Sequence, residues 1–87
     1  MVRVYYADRF LRCAKKLSEK QQDKLARLVV LLKENPHHPK LHIKFLSGEL
    51  DGIFSFRATG NYRVLFRFLS ADEVILIDVG HRKDIYR

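Results

Sequence analysis

Along the chain the spacing of apolar residues changes once, from the period of a helix to that of a strand, and this change predicts the architecture. Val2 to Tyr6 opens with β-branched and aromatic residues, the chemistry of a short strand. From Asp8 to Leu17 the pattern is helical: Phe10, Ala14 and Leu17 fall at i, i+4 and i+7, with Arg12, Lys15 and Lys16 between them. Ser18-Glu19-Lys20-Gln21 has the spacing of a capping box and starts a second helix, whose Leu25, Leu28, Val29 and Leu32 form one apolar stripe. Asn35-Pro36 ends it, because proline disfavours the α conformation in the residue before it. Two helices joined at a cap make an antiparallel hairpin.

Residues 36–52 carry Pro36, Pro39, Gly48 and Gly52 and read as a loop. Beyond them the period is two. Phe54 and Phe56 alternate with Ser55 and Arg57; after a turn at Ala58-Thr59-Gly60-Asn61, Val64, Phe66 and Phe68 alternate with Arg63, Leu65 and Arg67. A second turn at Ser70 to Glu73 leads into Val74 to Val79, almost wholly apolar and therefore expected to be central and buried on both faces. The expected order is β-α-α-β-β-β in an α+β fold: an antiparallel sheet with the helical hairpin packed on one face. At 87 residues, positions 1–87 form a single domain.

Composition changes this picture in one respect. Seventeen Lys and Arg against ten Asp and Glu give a net charge of +7, which favours polyanionic partners, nucleic acid or an acidic protein segment. If the helices cover the phenylalanine face, Arg57, Arg63 and Arg67 share the other one, although arginines opposed across a sheet repel. Anion binding explains that clustering better than solvation does. A membrane is excluded as a partner: the longest apolar run, Leu28 to Leu32, is five residues, far short of the ~20 a spanning helix needs. The N-terminus lacks the pattern of a secretory signal, and the lone Cys13 suits a reducing compartment, so the chain reads as cytoplasmic. His37, His38 and His42 suggest a metal, but Pro36 and Pro39 break any helix that would align them, and no cysteine or acidic cluster accompanies them; neither a metal nor another cofactor is expected.

Four segments in order carry a resemblance. They are Leu46-Ser47-Gly48, the strand ending Ser55-Phe56-Arg57, the Tyr62-Arg63 that opens the next strand, and the terminal Gly80-His81-Arg82-Lys83-Asp84-Ile85-Tyr86. Together they resemble the RelE/ParE toxin superfamily, strongly over residues 40–87 and only in the general β-α-α pattern before that. The resemblance implies a RelE-like fold and the toxin of a type II toxin–antitoxin pair. The implied activity is that of an mRNA interferase, a metal-independent endoribonuclease that cuts messenger RNA on the ribosome and is silenced by a cognate acidic antitoxin. Ribosome-bound mRNA and ribosomal RNA are then its nucleic-acid partners.

Such a cleavage needs a base for the ribose 2′-hydroxyl, an acid for the departing 5′-oxygen and cations at the phosphate, where charge develops. His81 suits either proton-transfer role, since imidazole exchanges protons near neutral pH. Arg57, Arg63 and Arg82 offer fixed, bidentate positive charge. Tyr86 can stack on a base or bind phosphate. Lys44, Asn61, Arg67 and Lys83 are expected to hold the substrate, Asn61 by orienting a ribose hydroxyl. Each residue also has a structural reading: His81 as the end of a strand, Arg63 as a partner of Asp78, Tyr86 at the core edge, Asn61 as turn chemistry. Superfamily branches differ at these positions. One uses a glutamate base for which Glu49, in the turn, is no equivalent. Another uses histidines and an aspartate; its last histidine aligns with His81, while its other two positions fall on Arg57 and Asn61. The site therefore reads as arginine-rich with one histidine, and the identity of the base is open. ParE-type members poison DNA gyrase and cut nothing, which is one alternative; a basic binding module without activity is the other.

Overall fold

The computed structural model describes residues 1–46 and 52–85. Strand β1 (Arg3–Tyr6) leads into helix α1 (Asp8–Ala14) and helix α2 (Glu19–Glu34); a 3-10 turn at Pro39–Leu41 precedes strand β2 (Lys44–Phe45). Strands β3 (Phe54–Arg57), β4 (Tyr62–Ser70) and β5 (Glu73–His81) follow, and a one-turn helix α3 (Arg82–Ile85) ends the described chain. The strands form one sheet in the order β1-β5-β4-β3-β2.

Local chemistry fixes the helices as the pattern requires. Ser18 Oγ accepts from the Gln21 backbone N–H at 3.2 Å while Gln21 Oε1 accepts from the Ser18 N–H at 3.0 Å, a complete capping box worth about 1 kcal/mol. Helix α1 stops at Ala14, three residues before its apolar pattern does. The backbone tightens there, with Lys16 N–H bonded to the Cys13 carbonyl and Leu17 N–H to the Ala14 carbonyl. Gln22 Nε2 then donates to the freed Lys15 and Leu17 carbonyls, and Leu17 remains buried outside the helix.

The core lies between the helices and one face of the sheet. Phe10, Leu17, Leu25, Val29 and Leu32 cluster with Phe56, Val64, Phe66, Val74, Leu76 and Val79. Leu32 is fully buried, and Leu32→Ala would cost ~2–5 kcal/mol. Strand β5 reaches this core with the help of a bulge. Leu65 pairs with Asp78 but Phe66 pairs with Leu76, leaving Ile77 as the extra residue. The extra residue reverses the alternation, so that Val74, Leu76 and Val79 are all buried although 76 and 79 differ in parity.

Four expectations need correction. The three long strands form the expected antiparallel meander, but β1 joins β5 in parallel, with Tyr6 opposite Leu76, so the sheet is mixed. Parallel pairing requires a long crossover connection, and here the whole segment from α1 through β4 lies between the two strands. The segment read as a loop contains both the 3-10 turn and β2, whose Lys44 and Phe45 pair with Ser55 and Phe54. Strand β5 is central, but Ile75 and Ile77 are only half-buried, so its second face is less covered than the first. Ser55, placed with the polar residues, is buried on that second face together with its cross-strand neighbour Leu65.

Candidate nucleic-acid interface

The second face of the sheet carries a groove of about 410 Å³ lined by His42, Ile43, Lys44, Ser55, Arg57, Arg63 and Arg82. Each cation arrives from a different element. Lys44 stands on β2 opposite Ser55, and Arg57 on β3 faces Arg63 on β4 directly. Arg82 is the first residue of α3. Among the described residues lining the groove there is no carboxylate, so four cations share a concave surface with no internal counter-charge.

The turn between β3 and β4 sets two of them. Gly60 holds φ +54°, a left-handed conformation that glycine adopts without strain. The turn it makes presents three carbonyls. Gly60 and Tyr62 accept from Arg63 Nη1 at 3.2 and 3.1 Å, and Asn61 accepts from the Arg82 backbone N–H at 2.8 Å. Asn61 thus contributes its main chain, fixing where α3 starts and where Arg82 stands. Arg63 is not the partner of Asp78: its neighbour on β5 is Gly80, and Asp78 Oδ2 accepts from Arg9 Nε at 2.9 Å.

His81 stands apart from the arginines. It pairs with Tyr62, on the side of Val64 and Val79, whereas Arg63 pairs with Gly80; its ring meets that of Tyr62 edge-on at 5.7 Å. Its Nδ1 accepts from the Lys83 backbone N–H at 3.1 Å, so the neutral ring carries its proton on Nε2 and can donate from there. Arg67, four residues beyond Arg63 along β4, and Lys83 on α3 are exposed and do not line the groove. Tyr86 and the Leu46-Ser47-Gly48 turn beyond Leu46 lie outside the described residues.

His42, in the sequence a candidate only for a metal, lines the groove. It holds φ +49° and closes the 3-10 turn by donating its N–H to the Pro39 carbonyl at 3.1 Å. Proline-bounded histidines close to a lysine were the available signal. His38 has a structural task, its Nδ1 accepting from the Lys40 N–H at 3.1 Å. Among the described residues no group of three or more His, Cys, Asp or Glu is placed to hold a metal ion. Nor, among them, is any helix long and apolar enough to cross a membrane.

Residues 4–86 match the family described as ParE toxin of type II toxin-antitoxin system, parDE. The fold is similar to the RelBE2 toxin–antitoxin complex of Mycobacterium tuberculosis (28% identity, 93% of this chain and 98% of that one, TM-score 0.78). It is also similar to YafQ of E. coli (15% identity, all of both chains, TM-score 0.80) and to the RelB–RelE antitoxin–toxin complex of Methanococcus jannaschii (24% identity, 94% of each chain, TM-score 0.75). Among curated protein sequences none matches significantly.

Proposed function

The chain belongs to the ParE toxin family of type II toxin–antitoxin systems, within the RelE/ParE superfamily, and we propose that its groove binds and cuts messenger RNA in the ribosome. One observation carries this reading: Arg57 and Arg63 face each other across β3 and β4 in a groove that also holds Lys44 and Arg82 and no described carboxylate. Such a site favours a phosphodiester, and most of all one gaining charge.

In the proposed reaction the ribose 2′-oxygen attacks the neighbouring phosphorus as its proton passes to a base. The bond from phosphorus to the 5′-oxygen breaks, and that oxygen takes up a proton. A 2′,3′-cyclic phosphate and a 5′-hydroxyl result. Arg57 and Arg63 would hold the non-bridging oxygens bidentately. Arg82 and Lys44 would hold the flanking backbone. Among the described lining residues His42 is the side chain suited to proton exchange, and His81, with its free Nε2–H, is a hydrogen-bond donor at the margin. One imidazole among four cations is a poor donor set for a divalent ion, so the reaction proceeds without metal.

Inhibition of DNA gyrase is the second reading, favoured by the ParE description that residues 4–86 match. Primer extension on ribosome-bound mRNA, run beside a supercoiling assay, separates the two. Cleavage that survives EDTA, with supercoiling unchanged, supports the nuclease; intact mRNA with supercoiling lost refutes it. The antitoxin complexes among the structural relatives support a protein partner for this chain as well, and the +7 charge suits an acidic one.

A further inference from the structure

The cationic groove does not end at the sheet. Its residues His42 and Arg57 also line a second groove of about 310 Å³, together with Lys24 and Lys40. Lys24 in turn borders a third, of about 490 Å³, with Lys20, Arg27 and Thr59. Shared walls make these one path, running from Arg63 past the β3–β4 turn and onto α2. Lys20, Lys24 and Arg27 fall at i, i+4 and i+7, so they lie along one face of that helix. Among the described residues lining the three grooves there is no carboxylate, although Glu19, Asp23 and Glu34 belong to the same helix. A surface that is merely solvated has no reason to sort its acids away from a continuous line of bases.

We propose that this path is a track for the sugar-phosphate backbone of the RNA strand as it leaves the cleavage groove, with Lys24 and Lys40 as its first contacts and Lys20 and Arg27 beyond them. The proposal rests on the reading of the groove as an RNA site and extends it along the strand. Contacts of this kind carry no sequence information; they set register and add a salt-dependent share of affinity. The track would hold several nucleotides on one side of the scissile bond, so that a short fragment filling only the sheet groove misses most of it.

The test compares a trinucleotide with a dodecanucleotide, both 2′-O-methylated against cleavage, binding to the full chain at several salt concentrations. In the wild type the longer strand should bind more tightly. In the triple variant Lys20→Gln, Lys24→Gln and Arg27→Gln that advantage should shrink at least ten-fold, with trinucleotide binding unchanged. The slope of log affinity against log salt for the longer strand should fall by about 2, since each single-strand phosphate contact contributes ~0.7. All three side chains are exposed, and glutamine is a good helix former; the single variant Lys24→Gln, at the junction of the second and third grooves, provides a milder check. An unchanged length advantage in both variants overturns the track. So does binding of polyglutamate that is lost in the triple variant while both RNAs bind as before, which would make the surface a protein-binding one. Neither result depends on cleavage, so the track and the nuclease reading fail separately.

Discussion

Arg57 on β3 and Arg63 on β4 are direct cross-strand partners, two like charges placed where a sheet brings side chains within about 5 Å. Among the described residues the ion pair is elsewhere, between Arg9 and Asp78, so no described carboxylate bridges the two arginines. A fold selected for stability alone would not keep this arrangement. Arg57→Thr is therefore expected to stabilise the protein by about 0.2–1 kcal/mol in urea unfolding, while weakening both RNA engagement and cleavage. Arg57→Lys and Arg63→Lys should restore cleavage only in part, because lysine lacks the bidentate fork. Full activity with either lysine would show that bulk charge, rather than guanidinium geometry, is what the groove supplies.

The two histidines make distinguishable claims. His42 lines the groove, whereas His81 stands with Tyr62 and commits Nδ1 to the Lys83 N–H. His42→Ala should lower single-turnover cleavage on ribosomes by ~10²–10⁴, the usual worth of one general acid or base. At position 81 a donor is what matters: His81→Gln, which retains an N–H, should keep more activity than His81→Ala. A His42→Ala variant that cuts at the wild-type rate, beside a silent His81→Ala, would return the proton-transfer role to His81.

The sequence made the parts of the fold that depend on local chemistry readable. The Ser18–Gln21 box, the break at Pro36 and the two strands between Phe54 and Phe68 stand in the structure, although Ser55 and Leu65 are buried. What it hid depends on contacts between distant residues. Two residues, Lys44 and Phe45, are too few to show a period, so β2 was legible only once Ser55 and Phe54 stood beside it. The bulge at Ile77 cannot be read from Val74 to Val79, because an apolar run carries no parity. That bulge is also why His81 is turned away from the arginines, against the expectation that it would join them. Arg57, Arg63 and Arg82 were legible as a group, whereas Lys44 was expected only alongside Asn61, Arg67 and Lys83, and of the last two neither lines the groove. His42 was not legible: a proline-bounded histidine near Lys44 hints at it, but no spacing rule signals its left-handed backbone.

Cys13 offers a prediction about pH. Burial pushes its thiol up, a hydrogen bond to Asp78 and that carboxylate's charge push it further, and Arg9 and Lys16 pull weakly the other way. The folded thiol keeps its proton to higher pH than the unfolded one. Its contribution to stability is therefore full below ~8.5 and is lost as pH rises through the folded value. Urea midpoints measured across this range should fall more steeply for the wild type than for Cys13→Ala. At neutral pH the thiol should also react with an aromatic disulfide reagent more slowly than free cysteine. A rate equal to that of free cysteine would mean that the thiol is not held as described.

The last prediction concerns the antitoxin. An acidic segment could in principle cover the whole basic hairpin, but the structure divides that surface. Lys20, Lys24 and Arg27 border the grooves of the basic path, whereas Lys15 and Lys33 flank a more apolar one between α1 and α2, of about 430 Å³, where Leu11 and Val30 are exposed beside Phe10, Leu25 and Val29. An amphipathic segment with acids at its margins fits the apolar groove: its apolar residues would be buried against Leu11 and Val30, and its acids would meet the two lysines. Val30→Asp both removes an apolar contact and adds a repelling charge. It should weaken binding of a cognate antitoxin by at least ten-fold, about 1.4 kcal/mol, in calorimetry. It should leave mRNA cleavage by the free toxin unchanged, since Val30 does not line the cationic groove. The association rate of the wild type should fall as salt rises from about 0.05 to 0.5 M, because steering between opposite charges is screened beyond ~10 Å at 0.1 M. Wild-type affinity in the Val30→Asp variant would remove the apolar groove from consideration and move the antitoxin to the surface bearing Arg63 and Arg82, in which case antitoxin and RNA should compete directly.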